Sequence, residues 1–246
     1  MTGLFVFIFG LFIGSFLNCT VYRLENSKSF LKGRSFCPNC KQTLSWLDLV
    51  PIFSFLFLKG KCRYCQKRIS IQYPLVELLT GLLFLLIWLL ASDIVFWFII
   101  SCFLIIIFIY DLKHFIIPDR VLFPAIIIAL GYIFVFKYDL LAEHILSAIG
   151  ASAFFLFIVL ISRGRGMGIG DVKLAILMGL LLGFPDIIVS LFFAFLIGAI
   201  IGVGLILLKK KTLKSEVPFG PFLILGVYIA LFFGDKIVNW YFTFFL

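Results

Sequence analysis

The chain has 246 residues, 63% of them hydrophobic and only 13% charged, with 21 Lys and Arg against 12 Asp and Glu for a formal net charge of +9. Soluble domains are nearer half apolar with about a quarter of their residues charged, so the composition excludes a soluble globular fold and indicates a polytopic membrane protein. Nearly all the positive charge lies in alternate loops and does not mark a nucleic-acid-binding face, so no nucleic acid is expected as a partner.

A crossing helix needs about 20 apolar residues. The first segment, MTGLFVFIFGLFIGSFLNC, has no Lys or Arg before its apolar core and no small-residue cleavage site. It reads as a retained helix over 3–21, not as a removed signal peptide. Further spans are predicted near 74–91, 94–110, 121–137, 143–161, 172–184, 187–208 and 218–234. The sixth is short. The last has two readings, because Asp235–Leu246 suits either an interfacial tail or more helix. Eight is the working count, bracketed by seven and nine. The expected fold is all-α, with about eight transmembrane helices and a small cytoplasmic zinc-ribbon-like insertion. The expected division is a first helix (1–22), a loop (23–73) and a helical bundle (74–246).

Charge sets the orientation. Ten Lys and Arg lie in the first loop (Arg23–Arg68), two are Lys113 and Arg120, three are Arg163, Arg165 and Lys173, and four are Lys209, Lys210, Lys211 and Lys214. Only Lys137 and Lys236 fall on the other side. The positive-inside rule then makes the basic loops cytoplasmic and puts both termini outside.

The loop 23–73 is the one segment with room for an independent fold. It holds Cys37-Pro-Asn-Cys40 and Cys62-Arg-Tyr-Cys65, two CxxC knuckles separated by 21 residues. Four thiolates on two tight turns complete a closed tetrahedral shell for a structural zinc ion. Disulfides and a redox CxxC are the alternatives; a cytoplasmic loop argues against the first and paired knuckles against the second. Cys19 and Cys102 fall inside spans and read as small buried hydrophobes. The apolar stretch Leu49–Leu58 is too short to span, and lies either on the membrane surface or beneath the bundle.

Two carboxylates carry the chemistry. An ionisable group in or beside a membrane helix is costly and marks a functional site by default. Asp111 follows 17 uncharged residues in IFIYDLKHFIIPD, and Asp171 stands among the glycines of RGMGIGDVK. The topology puts both at cytoplasmic helix ends. Brought together, two carboxylates share one proton, so that one acts as base toward water while the other polarises a peptide carbonyl. That is aspartic protease chemistry. The glycines allow backbone to approach a substrate strand, and GRGMGIG satisfies no register of the dinucleotide fingerprint. An ordinary helix cap is the plainer reading of either Asp alone.

Other polar positions carry less. Glu77 in YPLVELLTG lies a turn inside the second span and needs a partner there. Asp119 opens the fourth span, where the helix dipole favours an acid. Lys173 is placed to anchor headgroups or tune the pair. His114 reads as interfacial, and His144 belongs to the opposite side. Gly14 and Asn18 in GSFLN suit close helix packing, and Pro218 and Gly220 in PFGP would break the start of the last span.

Together these motifs resemble the type IV prepilin peptidases, the leader peptidase and N-methyltransferase family of pilus, type II secretion and competence systems. The likeness runs in order through GSFLN, both knuckles, YPLVELLTG, YDLKHFIIPD, GMGIGDVK and EVPFGPFL. The Tyr110-Asp111 and Gly168–Asp171 elements are also similar to those of presenilin-type GxGD proteases. The resemblance implies Asp111 and Asp171 as the catalytic pair. Tyr110, Gly168, Gly170, Lys173, Asp119, Glu77, Gly14, Asn18, Pro218 and Gly220 would be supporting motif residues. It also implies prepilin or pseudopilin substrates cut after a glycine on the cytoplasmic face of the inner membrane. The new N-terminal residue, usually Phe, would be methylated from S-adenosylmethionine, for which no glycine-rich nucleotide loop is visible. A presenilin-like protease of other substrates and a proton-coupled transporter are the alternatives.

Overall fold

In hydrocarbon every backbone N–H and C=O must be paired within its own segment, so the apolar runs fold as helices. The computed structural model describes residues 1–26, 33–164, 166–208 and 217–245. Lys28, Lys32, Arg165, Lys209, Lys210, Lys211 and Lys214, used above for orientation, lie outside the described residues. The described helices are α1 (Thr2–Glu25), α2 (Phe53–Phe57), α3 (Gln72–Leu90), α4 (Ile94–His114), α5 (Asp119–Phe136), α6 (Leu141–Ser162), α7 (Ile169–Leu182), α8 (Asp186–Leu207) and α9 (Gly220–Phe245). No strand forms among the described residues, only two isolated bridges.

Seven of these helices, all but α2 and α7, are long and apolar enough to cross a membrane. Their outward faces carry exposed large side chains such as Phe5, Ile127, Leu160 and Phe192. Apolar surface on that scale belongs in lipid. The chain is a multi-pass membrane protein. All eight predicted spans have a helix, and the open question at the C-terminal end resolves as continued helix to Phe245. The short sixth span is α7. Its 14 residues reach only about 21 Å, short of the ~30 Å hydrocarbon core. It needs no lipid face, because Leu174, Ala175, Leu177 and Met178 are fully buried in protein.

The chain divides into two compact units, with the boundary inside α4: Met1–Ile106 and Ile107–Leu246. In the first, α1 packs on α3 through small residues. A Cβ added to Gly10 would lie 2.8 Å from the Gly81 Cα, and one on Gly14 would lie 2.8 Å from the Glu77 Cα. Gly10 and Gly14 are four apart, the spacing that lets membrane helices bring their backbones together. Phe84 of α3 stacks on Phe98 of α4 with ring centroids 4.4 Å apart. The stretch Leu49–Leu58 becomes the end of a 3-10 turn (Trp46–Leu49) and α2. Trp46, Phe53, Leu56 and Phe57 there are exposed. Cys19 and Cys102, expected to be buried, are only partly so.

The second unit holds the remainder of α4 and α5–α9, with α7 packed against α5, α6, α8 and α9. Gly179 of α7 lies directly on the backbone of Ser147 and Ala148 in α6, and Gly226 of α9 lies on the Ser190 backbone of α8. Backbone cannot swing aside as a side chain can, so Gly179→Ala forces the helices apart. We expect it to cost about 1–3 kcal/mol, the usual range for overpacking, read as a lowered Tm of the detergent-solubilised protein.

Candidate active site and thiolate cluster

Asp111 occupies the last turn of α4, which ends where Phe115 turns into the left-handed region at φ 57. The C-terminal end of a helix is the negative end of its dipole, a poor place for a carboxylate. The fold offsets this with a second helix. Gly220, the first residue of α9, donates its N–H to Asp111 Oδ2 at 3.1 Å, bringing the positive end of that helix to the acid. Asp171 has the same kind of support from its own helix. It stands in the first turn of α7, and its Oδ2 accepts the Gly168 N–H at 3.2 Å. Asp111 is 4% exposed and Asp171 8%, and the two charges lie near enough to interact. Both carboxylates are buried, each with one oxygen held by a backbone amide.

The glycines are spatial requirements. A Cβ on Gly220 would fall 2.6 Å from Asp111 Oδ2, and one on Gly170 would fall 3.2 Å from Ile117 Cβ. Ile117 is 7% exposed and touches the space beside both glycines, so it wedges the first turn of α7 against the start of α9. Sequence reasoning passed over Ile117, whose only signal was its place between the Tyr-Asp and Pro-Asp elements. Pro118 and Asp119 follow it into α5.

Most other motif residues of this unit are accounted for. Lys173 Nζ pairs with both oxygens of Asp119 at 2.8 Å, and this pair ties α7 to α5 at a solvated edge, where such bridges are worth under about 1 kcal/mol. Tyr110 lies on the His114 ring, 4.5 Å between centroids. Pro218 is half-buried just before α9. His144 takes no part, since its Nδ1 sits 2.7 Å from the Leu180 carbonyl oxygen.

Gly14, Asn18 and Glu77 belong to the first unit. Asn18 donates to the Tyr73 carbonyl at 3.1 Å, and Glu77 Oε2 accepts the Ile52 N–H at 2.8 Å. Glu77 therefore finds its partner in the loop.

The two knuckles fold alike. Cys37 N–H bonds the Gln42 carbonyl and Cys62 N–H the Lys67 carbonyl, both at 2.9 Å. Lys41 and Gln66, each just after its second cysteine, take φ 59 and 55. The four sulfurs all lie within 4.8 Å of one another, with Cys37 and Cys65 at 3.9 Å. A tetrahedral zinc with ~2.3 Å bonds to sulfur sets its ligands about 3.8 Å apart, so the cluster fits one ion. Burial raises the Cys37 thiol, but backbone N–H groups of Cys40 and Asn39 and the neighbouring sulfurs outweigh it and bring it down to about 7. At Cys40 a bond from the Gln42 backbone favours the thiolate, but desolvation and the Cys37 and Cys65 sulfurs prevail and push it up to about 11. The cluster cannot hold four negative charges alone. A divalent cation would remove that repulsion.

Residues 98–203 match the model of the Type IV leader peptidase family, and residues 8–91 match that of the Bacterial Peptidase A24 N-terminal domain. The chain is 35% identical to the Prepilin leader peptidase/N-methyltransferase of Bacillus subtilis (strain 168), covering 96% of each chain. It belongs to the type IV leader peptidase family. Proteins of the same name from Aeromonas salmonicida (strain A449) and Legionella pneumophila are 33% and 34% identical, over 96% and 97% of this chain and 92% and 93% of theirs. No solved structure matches. Family membership separates the chain from the transporter and general presenilin-like alternatives. The leader peptidase match contains both Asp111 and Asp171, while the N-terminal match contains all four knuckle cysteines.

Proposed function

We propose that this enzyme removes the short basic leader of prepilin or pseudopilin substrates after a glycine, at the cytoplasmic face of the inner membrane, and then N-methylates the new N-terminal residue. The observation that carries the reading is the buried pair Asp111–Asp171, each held by a backbone amide, within the leader peptidase match.

In this reading one carboxyl holds a proton and the other is ionised, because two negative charges so close are mutually unfavourable. A water between them gives its proton to the ionised carboxylate as its oxygen bonds to the scissile carbonyl carbon. The protonated carboxyl hydrogen-bonds the carbonyl oxygen, which gains the negative charge. Collapse of the tetrahedral adduct breaks the C–N bond, and the leaving nitrogen takes a proton from the pair. Gly220 and Gly168 fix the planes of the two carboxyl groups throughout. The roles of the two acids are left to the pair as a whole.

S-Adenosylmethionine supplies the methyl group when bound. Cys37, Cys40, Cys62 and Cys65 would hold zinc in a closed shell whose work is to fold the loop. Zinc is expected to copurify in equimolar amount by atomic emission, and Cys62→Ser to lose it together with the loop's resistance to limited proteolysis. A metal-free wild-type protein with an intact loop would refute the zinc assignment.

The function is tested by co-expression with a substrate bearing a basic leader and a Gly-Phe junction before an apolar helix. Mass spectrometry should show leader loss and one added methyl group. An unprocessed substrate beside well-inserted enzyme would overturn the reading.

A further inference from the structure

The knuckle loop carries a short helix that is apolar on both sides. In α2, Ser54 and Phe55, with Leu58 just after it, line the interior of the first unit. Phe53, Leu56 and Phe57 are exposed, Phe57 by 83%. Trp46, Leu47 and Leu49, in the 3-10 turn that packs on α2, are exposed as well. A helix that is apolar all round is normally covered on every side. Six large exposed side chains within residues 46–57 form a patch, not a scatter of surface apolars.

One hydrogen bond sets the level at which α2 lies. Ile52, the residue before it, donates its N–H to Glu77 Oε2 at 2.8 Å. To do so Ile52 takes a φ of 61, which a β-branched residue rarely adopts. Glu77 stands in the second turn of α3, about 7.5 Å along the axis from Gln72. The 19 residues of α3 extend about 28 Å, so nearly all of them are needed to cross the ~30 Å hydrocarbon core. The start of α2 is therefore held at the level of the first turns of α3, beside the exposed Leu75, Leu78 and Leu79. Segments that rest in a membrane surface bury their apolar side by about 5–10 Å, which is this depth.

Charge selects the occupant of the patch. Residues 33–70 hold seven Lys and Arg against one acid, Asp48, which already pairs with Arg63 at 2.7 Å. Lys59 and Lys61, directly after α2, are exposed. They would repel a second copy of the same loop and, on the reading above, a basic leader. They attract anionic phospholipid. We infer that α2 and the turn before it rest in the bilayer surface, with Trp46, Phe53, Leu56 and Phe57 among acyl chains and Lys59 and Lys61 at anionic phospholipid headgroups. The long lysine stems let the ammonium groups reach the headgroup level while α2 lies deeper. The second knuckle, which begins at Cys62, is thereby held close to the bilayer.

The test uses the full-length protein in nanodiscs of phosphatidylethanolamine and phosphatidylglycerol, with a trace of phosphatidylcholine carrying a diazirine on its acyl chain near the glycerol. After irradiation, peptide mass spectrometry should find lipid adducts between residues 46 and 57 as well as on α3. Phe57→Asp should lower the loop adducts by about fivefold or more, because a carboxylate is unfavourable both among acyl chains and beside anionic headgroups. Adducts on α3 should stay unchanged and so report normal insertion. Loop adducts should also rise by about twofold or more when phosphatidylglycerol replaces an uncharged lipid, and Lys59→Gln with Lys61→Gln should abolish that rise. Adducts on α3 with none between 46 and 57 would overturn the assignment and leave a protein partner or a second copy as the cover. Loop adducts indifferent to both Phe57→Asp and lipid charge would overturn it too.

Discussion

Asp111→Asn and Asp171→Asn, made singly, are each expected to lower leader cleavage by about 10⁴-fold or more, with the double variant no slower than either single. Asparagine keeps the shape of the carboxyl group but can neither take a proton from water nor give one to the leaving nitrogen. In the proposed mechanism the two acids act on one proton, so loss of either would end the cycle and loss of the second would add nothing. The measurement is the time course of prepilin conversion in membranes, with insertion checked by the Tm of the purified variants. Normal cleavage by either single variant would dismiss the pair.

Gly220→Ala is the second large effect, and it replaces no titratable group. The added methyl would lie 2.6 Å from Asp111 Oδ2 and 3.5 Å from Ile117 Cδ1. The carboxylate must swing away from the N–H that holds it. A displacement near 1 Å at a reacting group costs on the order of 10²-fold in rate. We expect cleavage to fall by about that factor while the helices stay inserted. Gly202→Ala in α8 is the matched control, since a Cβ there meets nothing within 4 Å. It should leave cleavage unchanged and favour the helix by up to about 1 kcal/mol. Equal rates for the two variants would mean that the Gly220 contact does not position Asp111.

Much of this was readable in the chain. Long apolar runs bounded by charges gave every membrane helix, because hydrocarbon leaves the backbone no other choice. The knuckles were readable because each CxxC builds a local turn. Boundaries were less so: α4 runs on through Asp111 to His114, since Leu112, Lys113 and His114 are tolerable in a last turn. The GxxxG of Gly10 and Gly14 was in plain view but yielded only Gly14, its partner surface on α3 being invisible from α1 alone. The support of Asp111 was out of reach. Its partner amide is 109 residues away, and no periodicity within α4 or α9 encodes which helix end will meet which acid. The ion pair of Lys173 with Asp119 was hidden for the same reason.

The clamp on Asp111 also fixes an order of events during synthesis. Translation runs from the N-terminus, so α4 and α7 are made before residue 220 leaves the ribosome. Until α9 is in place, Asp111 lacks the amide that turns its carboxyl group toward the task. On the proposed mechanism, a nascent chain bearing both acids would not yet be a competent protease. Competence would then arrive only with the last helix, whose first N–H completes the setting of Asp111.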